Sequence, residues 1–489
     1  MRVRYLLGVL AGVILLAWGW SAESPRPVEP QPPQVYGIPP PGVHPVSSAS
    51  CAAAACHGNG KPGRPGGEYS TWAPDLSDDR PPDPHAHAYR ALFSEAAARM
   101  AKAVGLAAPH REAACLTCHS VEGVTPASAV TEGVGCGACH GAADKWLTEH
   151  YTSTWAALSH RDKWERYGFV PTKNLTARVL TCVGCHVGGA GREVDHDLIA
   201  AGHPRLAFEA ARFHVLPSYR KHWTERTPQP AFELRLWVIG QAAGLRAAAD
   251  LLRVRAERAA SDGAALWPEF SGYSCYSCHR SVGGQPPTVE RPTPTCRPGW
   301  ERWSTATVTV AAAHTPDLFP GCTAPTLKAV HELEKVMAER APRPEAVRQA
   351  ATHAVAELDG WLAALQVAED RGERPKPEAV EALIRALAAS ALTADRGALR
   401  DADWDFLAAH TLGCSAVIHA TGGPDASPAF GGSVRELNEF LRFPPPETGG
   451  SPRSPRALGS GEQERVRELF RTLSEPATRT EGKLCSPTP

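Results

Sequence analysis

The sequence predicts a mainly α-helical chain with extensive loops, divided into a motif-bearing first part and an all-helical second part. Three observations lead there. A Cys…Cys-His unit recurs five times between residues 51 and 279. The stretches that connect the copies show little of the period-two alternation expected of half-buried strands. Beyond residue 326, Ala/Leu stripes recur at i, i+3 and i+4, the spacing of one helix face. The balance of 51 Lys+Arg against 52 Asp+Glu gives a formal charge of −1, so the basic footprint of a nucleic-acid binder is missing and so is an acidic tail. A chain of 489 residues with 43% hydrophobic content is long enough for two or three domains.

The N-terminus comes first. Arg2 and Arg4 precede an apolar run from Tyr5 to Trp20, the charged and hydrophobic regions of an export signal, and the run is short for a membrane span of about 20 residues. Residues 1–20 are therefore read as a signal peptide or signal anchor; Ala17-Trp18-Gly19 is a passable cleavage site, and an uncleaved anchor to the inner membrane is the alternative. Ser24 to Pro45 carries nine prolines, so 21–45 is a stiff extended linker. The motif region is placed at 46–280, with its clearest helix from Phe232 to Ala260. A Pro/Gly-rich linker is expected at 281–325. A helical C-terminal domain at 326–475 follows, with helices at Thr326 to Arg340, Glu345 to Glu369, Glu378 to Leu392, Trp404 to Ala420 and Glu462 to Leu473. Gly422 to Phe430 and Pro444 to Pro455 read as breaks, and 476–489 as a tail.

The repeated unit is C-x-x-C-H at Cys115/Cys118/His119, Cys136/Cys139/His140, Cys182/Cys185/His186 and Cys275/Cys278/His279. A fifth copy, Cys51/Cys56/His57, has four residues between its cysteines. Two cysteines separated by two residues can form thioethers with both vinyl-derived carbons of a haem edge, and the adjacent histidine is then held under the iron. Zinc is the competing reading, because Cys115-x-x-Cys118 and Cys136-x-x-Cys139 have a zinc-ribbon spacing. A four-cysteine zinc site has no use for a histidine after every second cysteine, and this chain has one in all five copies. Covalent haem c with its iron is therefore expected at four sites, and a fifth at Cys51 and Cys56 if a bulged alanine loop brings both sulfurs to one edge. A local disulfide, or attachment through Cys56 alone, are the other readings of that first site. Haem would stand in for a side-chain core in this region, so the chain without haem is expected to fold poorly.

Methionine is scarce, with only Met100 and Met337 beyond the initiator, so the second axial ligand is expected to be histidine and the haems low-potential. Ten histidines outside the motifs lie between residues 44 and 222, namely His44, His85, His87, His110, His150, His160, His196, His203, His214 and His222, more than the sites need. His196 and His203 are seven apart, two turns along one helical face, a spacing that suits two different haems.

Several separate stretches resemble multihaem cytochromes c of the cytochrome c-554 type: Glu132-Gly-Val-Gly135 leading into Cys136-Gly-Ala-Cys139-His140-Gly141, then Trp146-Leu147 and His150, Cys182-Val-Gly-Cys185-His186, and Asp195-His196 running to Gly202-His203-Pro204-Arg205-Leu206. The resemblance covers about residues 50–280. It implies a multihaem cytochrome c domain, helical and loop-built, in an exported electron-transfer protein whose haems stack in close pairs. It also implies a set of distal ligands. Asp83-Pro84-His85-Ala86-x-Ala88-Tyr89 looks like the family's distal segment and favours His85 over His87; His110, His150, His196 and His203 are similarly placed, with His214 in reserve. The wider first motif and the extra site depart from the four-haem pattern and leave the pairing open.

The expected function is that of a periplasmic or exported carrier passing electrons between redox protein partners of the cell envelope. The alternative is a haem reductase or oxidase of a small nitrogen or sulfur compound, which requires an iron with an exchangeable position. Multihaem enzymes often mark that iron with C-x-x-C-K, which does not occur here. A third reading makes the C-terminal helices a docking module. Cys296, Cys322, Cys414 and Cys485 have no adjacent histidine and read as up to two disulfides, with Cys296–Cys322 the first expectation.

Overall fold

The computed structural model describes residues 43–59, 65–73, 83–121, 127–214, 222, 232–262, 265–275, 299–371, 375–393, 404–421, 428–440 and 458–475. The apolar N-terminal run expected to direct export, most of the proline-rich stretch, Cys278, His279, Cys296 and Cys485 lie outside them. Helices and turns dominate the described residues, with isolated β-bridges at Gly189–Arg192 and Tyr273–Trp300. The mainly α architecture is as expected. Among the described residues no helix is long and apolar enough to cross a membrane.

Two kinds of packing divide the molecule. Residues 43–170 form short helices joined by turns, and the side-chain cluster there is small: Ala143, Trp146 and Trp155, with Val46, Leu158, Tyr167 and Phe169 against it. A second, much larger core runs from Leu175 to Leu473. Its spine is the Phe232–Ser261 helix, apolar on nearly every side, with Leu234, Trp237, Val238, Ile239 and Leu245 fully buried. This helix packs along Pro344–Arg371 and against Leu175–His186 and Trp404–Ala420. The Phe232–Ser261 helix, read as part of the motif region, is thus also the centre of the helical half.

The helices read from periodicity form with small differences at their ends: Lys328–Met337, Pro344–Arg371, Pro377–Thr393, Trp404–Ala420 and Ser460–Ser474. Two expectations need correction. Part of the stretch read as linker folds into Arg302–Thr305 and Val308–Leu318, the latter burying Val308, Ala311, Ala312 and Leu318 in the core. Flanking Pro and Gly, and Pro316 inside the helix, had masked its apolar face. The Gly422 to Phe430 break ends early as well, because Pro428 opens the helix Pro428–Phe440, with Phe430, Val434 and Leu437 buried.

Specific polar contacts tie the halves together. Glu369 accepts from the backbone N–H of Leu175 at 2.9 Å, capping the helix that ends in the His186 motif. Arg205 forms a bidentate pair with Asp405, both N···O distances 2.6 Å, and its Nη1 lies 3.4 Å from Cys275 Sγ. Asp405 is 2% exposed, so the pair is shielded from water and either partner alone would be an uncompensated buried charge. Cys322 donates to the Ala364 carbonyl at 3.2 Å, whereas its expected partner Cys296 lies outside the described residues.

This division of packing predicts a split response to haem. A chain produced without haem attachment should keep slow amide exchange in the Phe232–Ser261 and Pro344–Arg371 helices and lose it across 43–170; hydrogen exchange read by mass spectrometry tests this. Leu362, fully buried in the larger core, should cost about 2–5 kcal/mol on replacement by Ala, measured by chemical denaturation of the haem-loaded protein.

Candidate haem centres

Three of the five motifs occupy the last turn of a helix: Ala113–His119, Cys136–His140 and Leu175–His186. Positions i and i+3 of one turn lie on the same face, so helical geometry points both sulfurs the same way and sets the histidine beside them. The wider first motif reaches a similar result differently. Cys51 ends the short helix Ser48–Cys51, and a turn closed by Cys56 N–H donating to the Ala53 carbonyl at 2.8 Å takes up the extra residues before His57. Glycine is required after the third motif: Gly141 has φ +83°, and a Cβ there would come within 2.0 Å of the Gly168 carbonyl oxygen.

Each described motif histidine faces a second histidine. The ring-centre separations are 6.2 Å for His57 and His150, 6.5 Å for His119 and His203, 6.3 Å for His140 and His222, and 6.1 Å for His186 and His85. An imidazole nitrogen bonds a transition metal at about 2 Å, and the ring centre sits about 1.1 Å behind that nitrogen, so two imidazoles across one metal have centres about 6.2 Å apart. All four pairs match this spacing. Their interplanar angles run from 16° to 83°, a rotation about the ligand axis that leaves the spacing unchanged.

Hydrogen bonds select the nitrogen. Nδ1 of His57 meets Glu68 Oε2 at 3.1 Å, and Nδ1 of His85 meets Asp83 Oδ1 at 2.9 Å. His119, His150 and His203 pair Nδ1 with the carbonyls of Ala88, Leu147 and Pro204 at 2.9, 2.9 and 2.8 Å. His140 Nδ1 lies 3.3 Å from Thr172 Oγ1. With Nδ1 committed, Nε2 is left as the nitrogen for a metal, and the tautomer is fixed as a ligating imidazole needs. Burial also keeps several of these rings neutral, pushing His140 down to about 3 and His186 to about 4 and lowering His203 and His222.

The sulfurs cluster between sites. Cys51 lies close to Cys136, joining the first motif to the third, and Cys118 lies close to Cys185, joining the second to the fourth. All nine described motif cysteines keep accessible surface, whereas Cys322 and Cys414 in the helical core are buried. Among the described residues no three or more His, Cys, Asp or Glu converge as a metal site, so Cys115, Cys118, Cys136 and Cys139 do not gather into the four-cysteine zinc site. Sulfur pairs beside opposed imidazoles fit haem c.

The expected distal set is only partly assembled. His85, His150 and His203 stand opposite motif histidines. His110 does not; its ring lies against Phe93, with centres 4.3 Å apart. His222 occupies the place facing His140, and sequence spacing gave no signal for it beyond the surplus of histidines. His214, the reserve, is buried and bonds Arg178 at 3.0 Å. His196 and His203 do not share a helical face: the helix His196–Ala200 ends before Gly202, whose φ of +114° turns the chain and sends His203 toward His119. His196 instead lies beside Phe270, ring centres 6.0 Å apart, with its backbone N–H bonded to Glu269. Of the fifth motif, Cys275 is described and Cys278 and His279 lie outside the described residues.

Residues 50–141 match the model of the family described as cytochrome c554 and c-prime, a segment consistent with a multihaem cytochrome of the cytochrome c-554 type. It holds three of the five motifs, and the match supports covalently bound haem c with iron and a redox role. No curated protein and no solved structure matches the chain.

Replacing His222 by Ala should turn one haem high-spin in the EPR spectrum, while His110→Ala should leave every haem low-spin. The opposite pattern would restore His110 as the ligand.

Proposed function

We propose that the chain is an exported multihaem c-type cytochrome that carries electrons between redox protein partners of the cell envelope through five bis-histidine haems of low potential. The observation that carries this reading is the set of four histidine pairs at 6.1–6.5 Å, each containing one motif histidine. Bound haem supplies an iron couple that accepts and returns one electron. The chain's residues would do the rest: paired cysteines would hold each group in place, the opposed imidazoles would ligate its iron, and the surrounding turns would limit water. A second imidazole would take the position a substrate needs, which favours a carrier over a reductase or oxidase at these four sites. For the fifth, His196 is a candidate second ligand, since it lies beside the segment that leads into Cys275. The contacts between Cys51 and Cys136 and between Cys118 and Cys185 favour close haem pairs and short electron steps.

The apolar N-terminal run supports export, by either a cleaved signal or a retained anchor, and haem attachment by thioether suits a compartment outside the cytoplasm. Tyr151 adjoins the ligand His150 and is 72% exposed, so the first site lies near the surface, where a redox partner could approach.

A pyridine-haemochrome assay should give five haems per chain, and the EPR spectrum should show only low-spin signals, unchanged by CO or NO. A high-spin haem that binds either gas would move the assignment to the enzyme reading.

A further inference from the structure

The imidazoles of the four centres differ in what their Nδ1 atoms touch. Glu68 bonds His57, and Asp83 bonds His85, the partner of His186. Asp83 is 2% exposed and also accepts from the backbone N–H of His85 at 2.9 Å, so its carboxylate is held in place from two directions. At the His119–His203 centre both Nδ1 atoms meet neutral carbonyls. At the His140–His222 centre, His140 meets the hydroxyl of Thr172, whose carbonyl receives Nε–H of the buried Arg178 at 2.7 Å. A carboxylate on the outer nitrogen makes an imidazole more basic and stabilises the more highly charged ferric iron, which lowers the reduction potential; a neutral oxygen does this less, and a nearby guanidinium does the opposite.

The sulfur contacts decide which centres are neighbours. Cys51 meets Cys136, so the carboxylate-bonded His57 centre adjoins the hydroxyl-bonded His140 centre. Cys118 meets Cys185, so the carbonyl-bonded His119 centre adjoins the His186–His85 centre that Asp83 supports. Each contacting pair therefore contains one centre with a bonded carboxylate. We propose that Asp83 and Glu68 are positioning residues that hold these two centres at a lower reduction potential than their neighbours, so that each pair has one centre built to release an electron and one built to receive it. This rests on bis-histidine ligation at the four centres. Both carboxylates also act through space on His222, so the signature is a shift that is largest at the bonded centre.

The test uses the full-length, haem-loaded protein, with redox titration followed by visible and EPR spectra. Asp83→Asn keeps an acceptor oxygen and removes the charge, and it should raise most the midpoint of the haem that becomes high-spin in His85→Ala. Glu68→Gln, on a separate helix, should do the same for the haem that becomes high-spin in His150→Ala, and it carries the test if the first variant does not fold. Unshifted midpoints, equal shifts at all haems, or a largest shift at another haem would overturn the proposal. High-spin signals from these centres in the unaltered protein would instead overturn bis-histidine ligation, so the two failures are distinguishable.

Discussion

Four pairs of imidazole ring centres held 6.1–6.5 Å apart set the layout of the first part of the chain. That gap suits one metal between two nitrogens. Six of the eight rings are fixed from behind, by Nδ1 hydrogen bonds to Glu68, Asp83, Thr172 and backbone carbonyls. The backbone bends to deliver those partners, as where Gly141 passes against the Gly168 carbonyl and where Val134 N–H reaches the His85 carbonyl at 2.9 Å. Short helices and turns follow from this. A long helix would carry the second histidine away from the first.

The helical half obeys a different rule. Its side chains fill their own interior, and the Phe232–Ser261 helix is buried on nearly every side as far as Ala256. The two regimes meet at the Leu175–His186 helix, apolar and buried at its start and bearing Cys182, Cys185 and His186 at its end. They meet again at Arg205, which touches Cys275 and pairs with Asp405 of the helical half. Cys275 is thus linked through Arg205 to the helices that carry no motif, which gives those helices a structural connection to the redox part.

Much of the helical half was legible in the sequence, because the 3.6-residue period survives wherever a helix buries one face against a core. Trp404–Ala420 has the ends its apolar pattern indicated. Val308–Leu318 and Pro428–Phe440 were hidden by local signals for breaks, Pro316 in one and Gly431-Gly432 in the other, which burial of their apolar residues overrode. At the centres, the motif cysteines and histidines were legible because both sulfurs and the adjacent ligand lie within one turn of chain. Among the second histidines, the family resemblance pointed to His85, His150 and His203, which do face motif histidines, and the others were legible only in number. His110 and His222 look alike as sequence, but one rests on Phe93 and the other faces His140.

By itself, then, the sequence located the candidate haem-attachment residues through their motif, and with three methionines in the chain it pointed to histidine for the second ligands. Those facts are local or compositional. The tertiary structure decided which histidine faces which, which centres touch, and which imidazoles lean on a carboxylate. Two facing imidazoles can lie nearly a hundred residues apart in sequence, as His150 and His57 do, and only the folded path of the chain brings two such rings face to face.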